Sequence, residues 1–189
     1  MKQFAFSGDI QADDFMRKDT QTGQIQEDIM TQITDIQAFR KDLTNAVLCW
    51  LATVDASGAP NVSPKEMFSW DGNQQIIIAD IASARSVENI RQQSKVCLSF
   101  IDVFRQRGFK ITGSAQIIPT GSPNFAAIGH DVLARIKGEF RVQNLIVVTI
   151  ESVSRVLAPS YFTFPERNEA EHIRQTLESY SVNRLLYGK

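Results

Sequence analysis

The stretch Leu51-Ala-Thr-Val-Asp-Ala-Ser-Gly-Ala-Pro-Asn-Val-Ser-Pro-Lys-Glu-Met-Phe68 decides the architecture of this chain. It opens inside a nearly continuous apolar run, Ala46 to Val54, which reads as a strand. Asp55 to Pro60 then supplies turn residues, and Asn61 to Trp70 reads as the returning strand of a hairpin. So short a connection leaves no room for a helical crossover, so the two strands are antiparallel neighbours. A period of two puts Ser63, Lys65 and Met67 on one face of the second strand and Pro64, Glu66 and Phe68 on the other. Pro64 removes a ladder hydrogen bond, which assigns it to a sheet edge or a bulge.

Working outward, Asp71-Gly72 makes the next turn and Gln75 to Asp80 a third strand. A short helix follows over about Ala84 to Gln93, with Val87 and Ile90 on its apolar face. Strand four is Val96 to Val103, Phe104 to Gly108 is a polar loop, and strand five is Phe109 to Ile118. Pro119-Thr-Gly-Ser-Pro123 breaks the chain before a helix reaching about Lys137, and Leu145 to Val156 is the last strand. Glu166 to Tyr180 is a polar helical pattern. Upstream of the hairpin, Ile25, Ile29, Ile33, Ile36, Phe39 and Leu43 recur at three- and four-residue steps, as on one face of a helix of about 18 residues. Residues 1–24 mix charges, Gln, Thr and Gly without period and read as an arm or strap.

Short strands joined by hairpins, with helices inserted between them, predict a mainly β, α+β domain over residues 25–189, a small antiparallel barrel that closes its own edges. A doubly wound nucleotide-binding sheet would need crossovers where this chain has turns.

Twenty basic residues against 21 acidic ones, with no basic run, argue against nucleic acid as a partner. No apolar run approaches the roughly 18 residues that cross a bilayer, and Asp9, Asp13 and Asp14 do not suit a signal peptide, so a cytoplasmic, non-membrane protein is expected. Cys49 and Cys97 form no C-x-x-C pair and read as buried thiols. With only His130 and His172, and no paired-histidine pattern, no metal is expected. Trp50, Trp70 and Phe100 read as packing residues, and neither histidine sits in a nucleophile context.

Chemistry concentrates after strand three. Ser83, Arg85 and Ser86 crowd the start of a helix, where free backbone N–H groups favour an anion and Arg85 can add a bidentate contact. The competing reading makes Ser83 an ordinary cap and Arg85 a solvated side chain. Both Arg85 and Ser86 are expected in an exposed first turn. Lys65 either faces an electron-rich ligand or is an exposed lysine of the barrel, and Asn89 either braces the loop or lies on the surface.

The hairpin Leu51 to Phe68 resembles the first hairpin of the pyridoxamine 5'-phosphate oxidase-related family. The resemblance continues in Ile77-Ile-Ala-Asp-Ile-Ala-Ser-Ala-Arg-Ser-Val-Glu-Asn-Ile90, in Val96-Cys-Leu-Ser-Phe-Ile101 and in Arg107-Gly-Phe-Lys-Ile-Thr-Gly-Ser-Ala115. It implies an FMN-binding split barrel and a homodimer acting as an oxidoreductase on a small-molecule substrate or electron donor. By position it carries cofactor contacts onto Ser63, Pro64, Lys65, Glu66, Met67 and Phe68, and onto Ala79 and Asp80. It places the phosphate on Arg85 and Ser86, beside Ser83 and Asn89, and a further contact on Gly108 with its neighbours Arg107 and Phe109. It also lets Ala158 to Tyr161 reach a partner's flavin, Tyr161 as a core residue being the other reading. The chain departs from the family pattern in having Ser63 for a second-strand arginine and Arg85-Ser86 for an arginine-lysine pair. After Gln116, a helix containing His130 and Arg135 takes its own course. The alternatives are a non-catalytic flavin-binding or sensing module, and a barrel that binds haem or a deazaflavin.

Overall fold

The computed structural model describes residues 36–138 and 140–182. The expected arm and the first turns of the expected N-terminal helix lie outside them. The first described helix, α1 (Ile36–Asn45), runs into β1 (Cys49–Val54), β2 (Pro60–Lys65), β3 (Phe68–Trp70) and β4 (Gln75–Asp80). Next come α2 (Ala84–Gln92), β5 (Lys95–Asp102) and β6 (Arg107–Pro119). Then follow α3 (Phe125–Ile128), α4 (His130–Ile136), β7 (Asn144–Leu157), α5 (Ser160–Thr163) and α6 (Glu169–Ser179). The strands form one curled antiparallel sheet in the order β2-β1-β5-β6-β7-β4-β3, a split barrel.

Aspartates set its turns. Asp55 accepts the N–H groups of Ser57 and Ala59 at 2.9 and 3.0 Å and closes β1 onto β2. Asp71 does the same for Asn73 and Gln75 before β4, and Asp102 for Phe104 and Arg105 before β6. A short carboxylate that satisfies two successive N–H groups fixes a turn without help from the core.

The inward residues of the strands, among them Leu51, Phe68, Ile76, Ile78, Leu98 and Ile111, fill the barrel with Val87 and Ile90 of α2. α1 covers one end through Phe39, whose ring lies 5.1 Å from Trp70, 5.3 Å from Phe100 and 5.0 Å from Phe109. β4 is buried on both faces, because Ile77 and Ala79 meet a second cluster with Val132 and Ile136 of α4. An uninterrupted apolar run is the sequence of such a strand. Between Thr112 and Gly113 the β6–β7 ladder shifts register.

The sequence reading needs three corrections here. The expected strand Asn61 to Trp70 is two strands: Lys65 pairs with Cys49 of β1, whereas Phe68 pairs with Ile78 of β4. The chain therefore steps from one edge of the sheet to the other at Glu66 and Met67. The expected helix up to Lys137 is interrupted at Gly129, between α3 and α4. Trp50 is not packed in the core; it points outward and is 48% exposed. Trp70 and Phe100 are packing residues as expected, and Pro64 does lie on an edge strand. Cys49 is a buried thiol, while Cys97 is half-buried.

Candidate functional site

The step from β2 to β3 opens a cleft of about 380 Å³ beside the end of β4, and the Ala79 N–H to Met67 carbonyl bond, 2.9 Å, fixes its floor. Of the residues singled out from sequence, Ser63, Pro64, Lys65, Glu66, Met67, Ala79 and Ser83 line it. Phe68 lies just inside, in the barrel core.

Lys65 is the unusual group. Only 5% of it is exposed, and its ammonium donates to Ser63 Oγ at 2.6 Å and to the Pro64 carbonyl at 3.3 Å. Both acceptors are neutral, and among the described residues Lys65 forms no ion pair. Burial pushes its pKa below the ordinary lysine value, against the weaker opposing pull of Cys49 and Asp80. The facing Cys49 thiol is driven up to about 12 by burial, so it stays protonated and supplies no counter-charge at neutral pH.

From Lys65 a polar row runs under α2. Ser63 Oγ lies 3.0 Å from Ser86 Oγ, Asn61 Nδ2 donates to Thr53 Oγ1 at 3.1 Å and reaches Ser86 Oγ at 3.4 Å, and Asn89 Nδ2 donates to Thr53 Oγ1 at 3.0 Å. The expectation that Ser86 is exposed is wrong: β2 packs over this turn of α2 and leaves Ser86 2% exposed. Asn89 is buried too, bracing α2 on β1. Arg85 is exposed at the helix start, and the Ser83 hydroxyl makes no cap hydrogen bond. Asp80 holds the intervening loop, accepting from the Ser83 N–H at 2.9 Å and from the Asn144 amide at 2.6 Å.

Arg107, Gly108 and Phe109 are not brought to this cleft. They lie on β6, which β1 and β5 separate from β2. Arg107 pairs with buried Asp42 at 3.0 Å and with Glu169 at 2.8 Å, and Phe109 packs in the core beneath the Arg155 guanidinium. A Cβ added at Gly108 would stand 2.0 Å from the Phe100 carbonyl oxygen and 2.8 Å from Ile101 Cα, so backbone contact requires the glycine. Tyr161 is half-buried; it donates to the Arg105 carbonyl at 2.7 Å and stacks on His172 at 4.2 Å. Thr53, Asn61, Asn144 and Phe140 were missed in sequence. Asn61 alone carried a signal, since it continues the Ser63, Lys65 alternation onto the same face.

A curled sheet split along one seam, with a ligand-sized cleft and a basic group at that seam, defines the split-barrel class of the FMN-binding type. A family model described as pyridoxamine 5'-phosphate oxidase matches residues 36–157, and the chain belongs to that family. In fold it is similar to HupZ of Group A Streptococcus, with 24% identity, a TM-score of 0.55, and coverage of 65% of this chain and 94% of that one. It is also similar to an FMN-binding protein from Syntrophomonas wolfei, with 13% identity, a TM-score of 0.56, and coverage of 72% and 93%. A third likeness is a Clostridium acetobutylicum protein related to general stress protein 26, of the pyridoxinephosphate oxidase family, with 17% identity, a TM-score of 0.52, and coverage of 66% and 89%. No curated protein matches the chain in sequence. Among the described residues no helix is long and apolar enough to cross a membrane, and no cluster of metal-ligating side chains occurs.

Proposed function

We propose that this protein binds FMN in the cleft at the β2–β3 step and uses it as an oxidoreductase on a small-molecule substrate. The observation that carries the reading is Lys65, a buried ammonium that hydrogen-bonds only neutral oxygens and lines a cleft. A buried charge without a counter-charge is costly, and an anionic or electron-rich ligand removes that cost. The phosphate is assigned to the group formed by Lys65, Ser63 and the Ser83 hydroxyl, with Arg85 exposed at the start of α2 two residues beyond Ser83. The apolar walls formed by Pro64, Met67, Ala79 and Ile81 suit a flat ring. The flavin supplies hydride or electron transfer, and the chain's part is to bind it, orient it and exclude water.

The functional unit proposed is a homodimer. Trp50 of β1, Ile101 of β5 and the flanking Val47, Val103 and Phe104 are exposed around a hollow of about 600 Å³. An apolar surface of that kind is what a two-fold interface covers. Haem fits less well: His130 lies in an exposed pair with Asp131, His172 is stacked on Tyr161, and neither lines the cleft. A deazaflavin bearing a phosphate would use the same lysine.

The test is the mass and absorption of the ligand that copurifies with the protein, and its titration with FMN and riboflavin. FMN in the purified protein, bound more tightly than riboflavin, is expected. Stoichiometric FAD, haem alone or a deazaflavin would overturn the assignment. Light scattering is expected to give a dimer for the wild type and a monomer for Trp50→Glu.

A further inference from the structure

Phe140 lies between α4 and β7, and half of it, 51%, is exposed. It lines the same cleft as Lys65, Pro64, Met67 and Ala79. The chain on either side of it is held. α4 ends on Lys137 and Gly138, both left-handed with φ of 52° and 77°, which turns the chain back on itself. Three residues beyond Phe140 the Gln143 N–H donates to the Asp80 carbonyl at 2.9 Å, the Asn144 amide holds the Asp80 carboxylate, and the Thr120 N–H donates to the Gln143 carbonyl at 2.9 Å. Asp80 thus anchors two walls at once, the loop to Ser83 on one side and the Phe140 segment on the other. A half-exposed aromatic ring therefore shares a cleft with the Lys65 ammonium and the Ser63 and Ser83 hydroxyls.

We infer that Phe140 is a ligand-binding residue, the aromatic wall that packs on the planar ring of the bound flavin. The inference rests on the proposed FMN site and adds a division of labour to it. Lys65 recognises the phosphate, and Phe140 recognises the ring that FMN and riboflavin share. Ring contacts act on both ligands alike, whereas a phosphate contact acts on one.

The experiment titrates wild type, Phe140→Ala, Phe140→Leu and Phe140→Trp with FMN and with riboflavin, and follows flavin fluorescence. Circular dichroism and light scattering accompany each variant. Phe140→Ala is expected to weaken FMN and riboflavin by the same factor, about tenfold, with fold and oligomeric state unchanged. Phe140→Leu should fall between Phe140→Ala and wild type, and Phe140→Trp should bind both while quenching bound-flavin fluorescence further. Unchanged riboflavin affinity in Phe140→Ala, a loss confined to FMN, or a loss that tracks dissociation of the dimer would overturn the inference while leaving the FMN site standing. A wild-type protein that binds neither flavin would remove the site and the inference together.

Discussion

Two charged regions of this molecule differ in one respect, the matching of charge. Where α1 and α6 close the barrel, Asp42, Asp102 and Glu169 face Lys41, Arg105, Arg107 and Arg155, and the ion pairs span 2.6 to 3.2 Å. Asp42 is fully buried between two arginines. At the other region, under α2, the Lys65 ammonium hydrogen-bonds only neutral oxygens and is attracted by the Asp80 carboxylate without touching it. In the first cluster every carboxylate has a cation in contact; among the described residues Lys65 has no carboxylate in contact. Arginine content alone did not separate the two. The family resemblance counted both Arg107 and Lys65 among the cofactor contacts, and the structure puts them in different regions.

The largest test of the contrast is Asp42→Ala. It leaves Arg155 without its carboxylate and Arg107 with Glu169 alone, and removing one partner of a buried pair in this way costs about 3–5 kcal/mol. A large fall in denaturation midpoint is expected; a loss under about 1 kcal/mol would mean that the cluster behaves as a surface network.

Lys65→Met should act with the opposite sign on stability. It removes a buried charge that has no ion pair among the described residues, so the ligand-free protein is expected to keep or gain up to about 1 kcal/mol, while FMN affinity falls by about 2 kcal/mol and riboflavin affinity changes little. The pH dependence follows from the depressed lysine pKa. The penalty is fully present below the folded pKa and is relieved as pH rises toward the ordinary value of 10.5. The wild type, but not Lys65→Met, should therefore gain stability over that alkaline range. Parallel denaturation curves for the two proteins would show that Lys65 is not charged and buried as described.

Arg85→Glu, at the exposed start of α2, is expected to leave stability within about 0.5 kcal/mol of wild type and to weaken FMN by about tenfold, with riboflavin unaffected. Equal weakening of both flavins would move the phosphate away from the start of α2. Ser86 does not suit such a change, because a carboxylate there would be buried.

The smallest effect belongs to Glu169. Partial burial raises its pKa, but hydrogen bonds from Arg105 and Lys41 and the charge of Arg107 outweigh that and bring it down to about 2. Its contribution is complete above the ordinary 4.5 and is lost as pH falls through about 2. Because its side chain is 35% exposed, solvent screening limits the contribution to under about 1 kcal/mol. Hydrogen exchange in α6 should accelerate over that acid range in the wild type, and Glu169→Gln should show the faster rate already at neutral pH. An α6 equally protected at pH 2 and pH 7 would show that packing, not this ion network, holds the helix.

Much of the fold was legible because its signals are local. Gln75 to Asp80 is a strand over the expected residues, since an apolar run between Asp71-Gly72 and a polar loop has one reading. The turns at Asp55 and Asp71 were visible for the same reason, whereas Asp102 read as part of strand four. What was not legible depends on partners far along the chain. The alternation through Glu66, Met67 and Phe68 continues unbroken, yet pairing changes from β1 to β4 there. Ser86 looks like any hydroxyl in a first turn until β2 is laid over it. Lys65 was legible as a candidate, but its burial against neutral oxygens appears only when its neighbours are in place. Phe140 has no periodicity around it and could not be found from sequence.

Gly108 has a meaning for anyone comparing this chain with its relatives. Any side chain there would push into the backbone of the adjoining strand, so mutational scanning should find the position intolerant even of alanine. Intolerance of that origin reports backbone sterics, and it would persist in a relative that had lost its cofactor altogether. An unvarying glycine at the start of β6 is therefore a marker of the barrel's construction, and a poor guide to which barrels still hold a ligand.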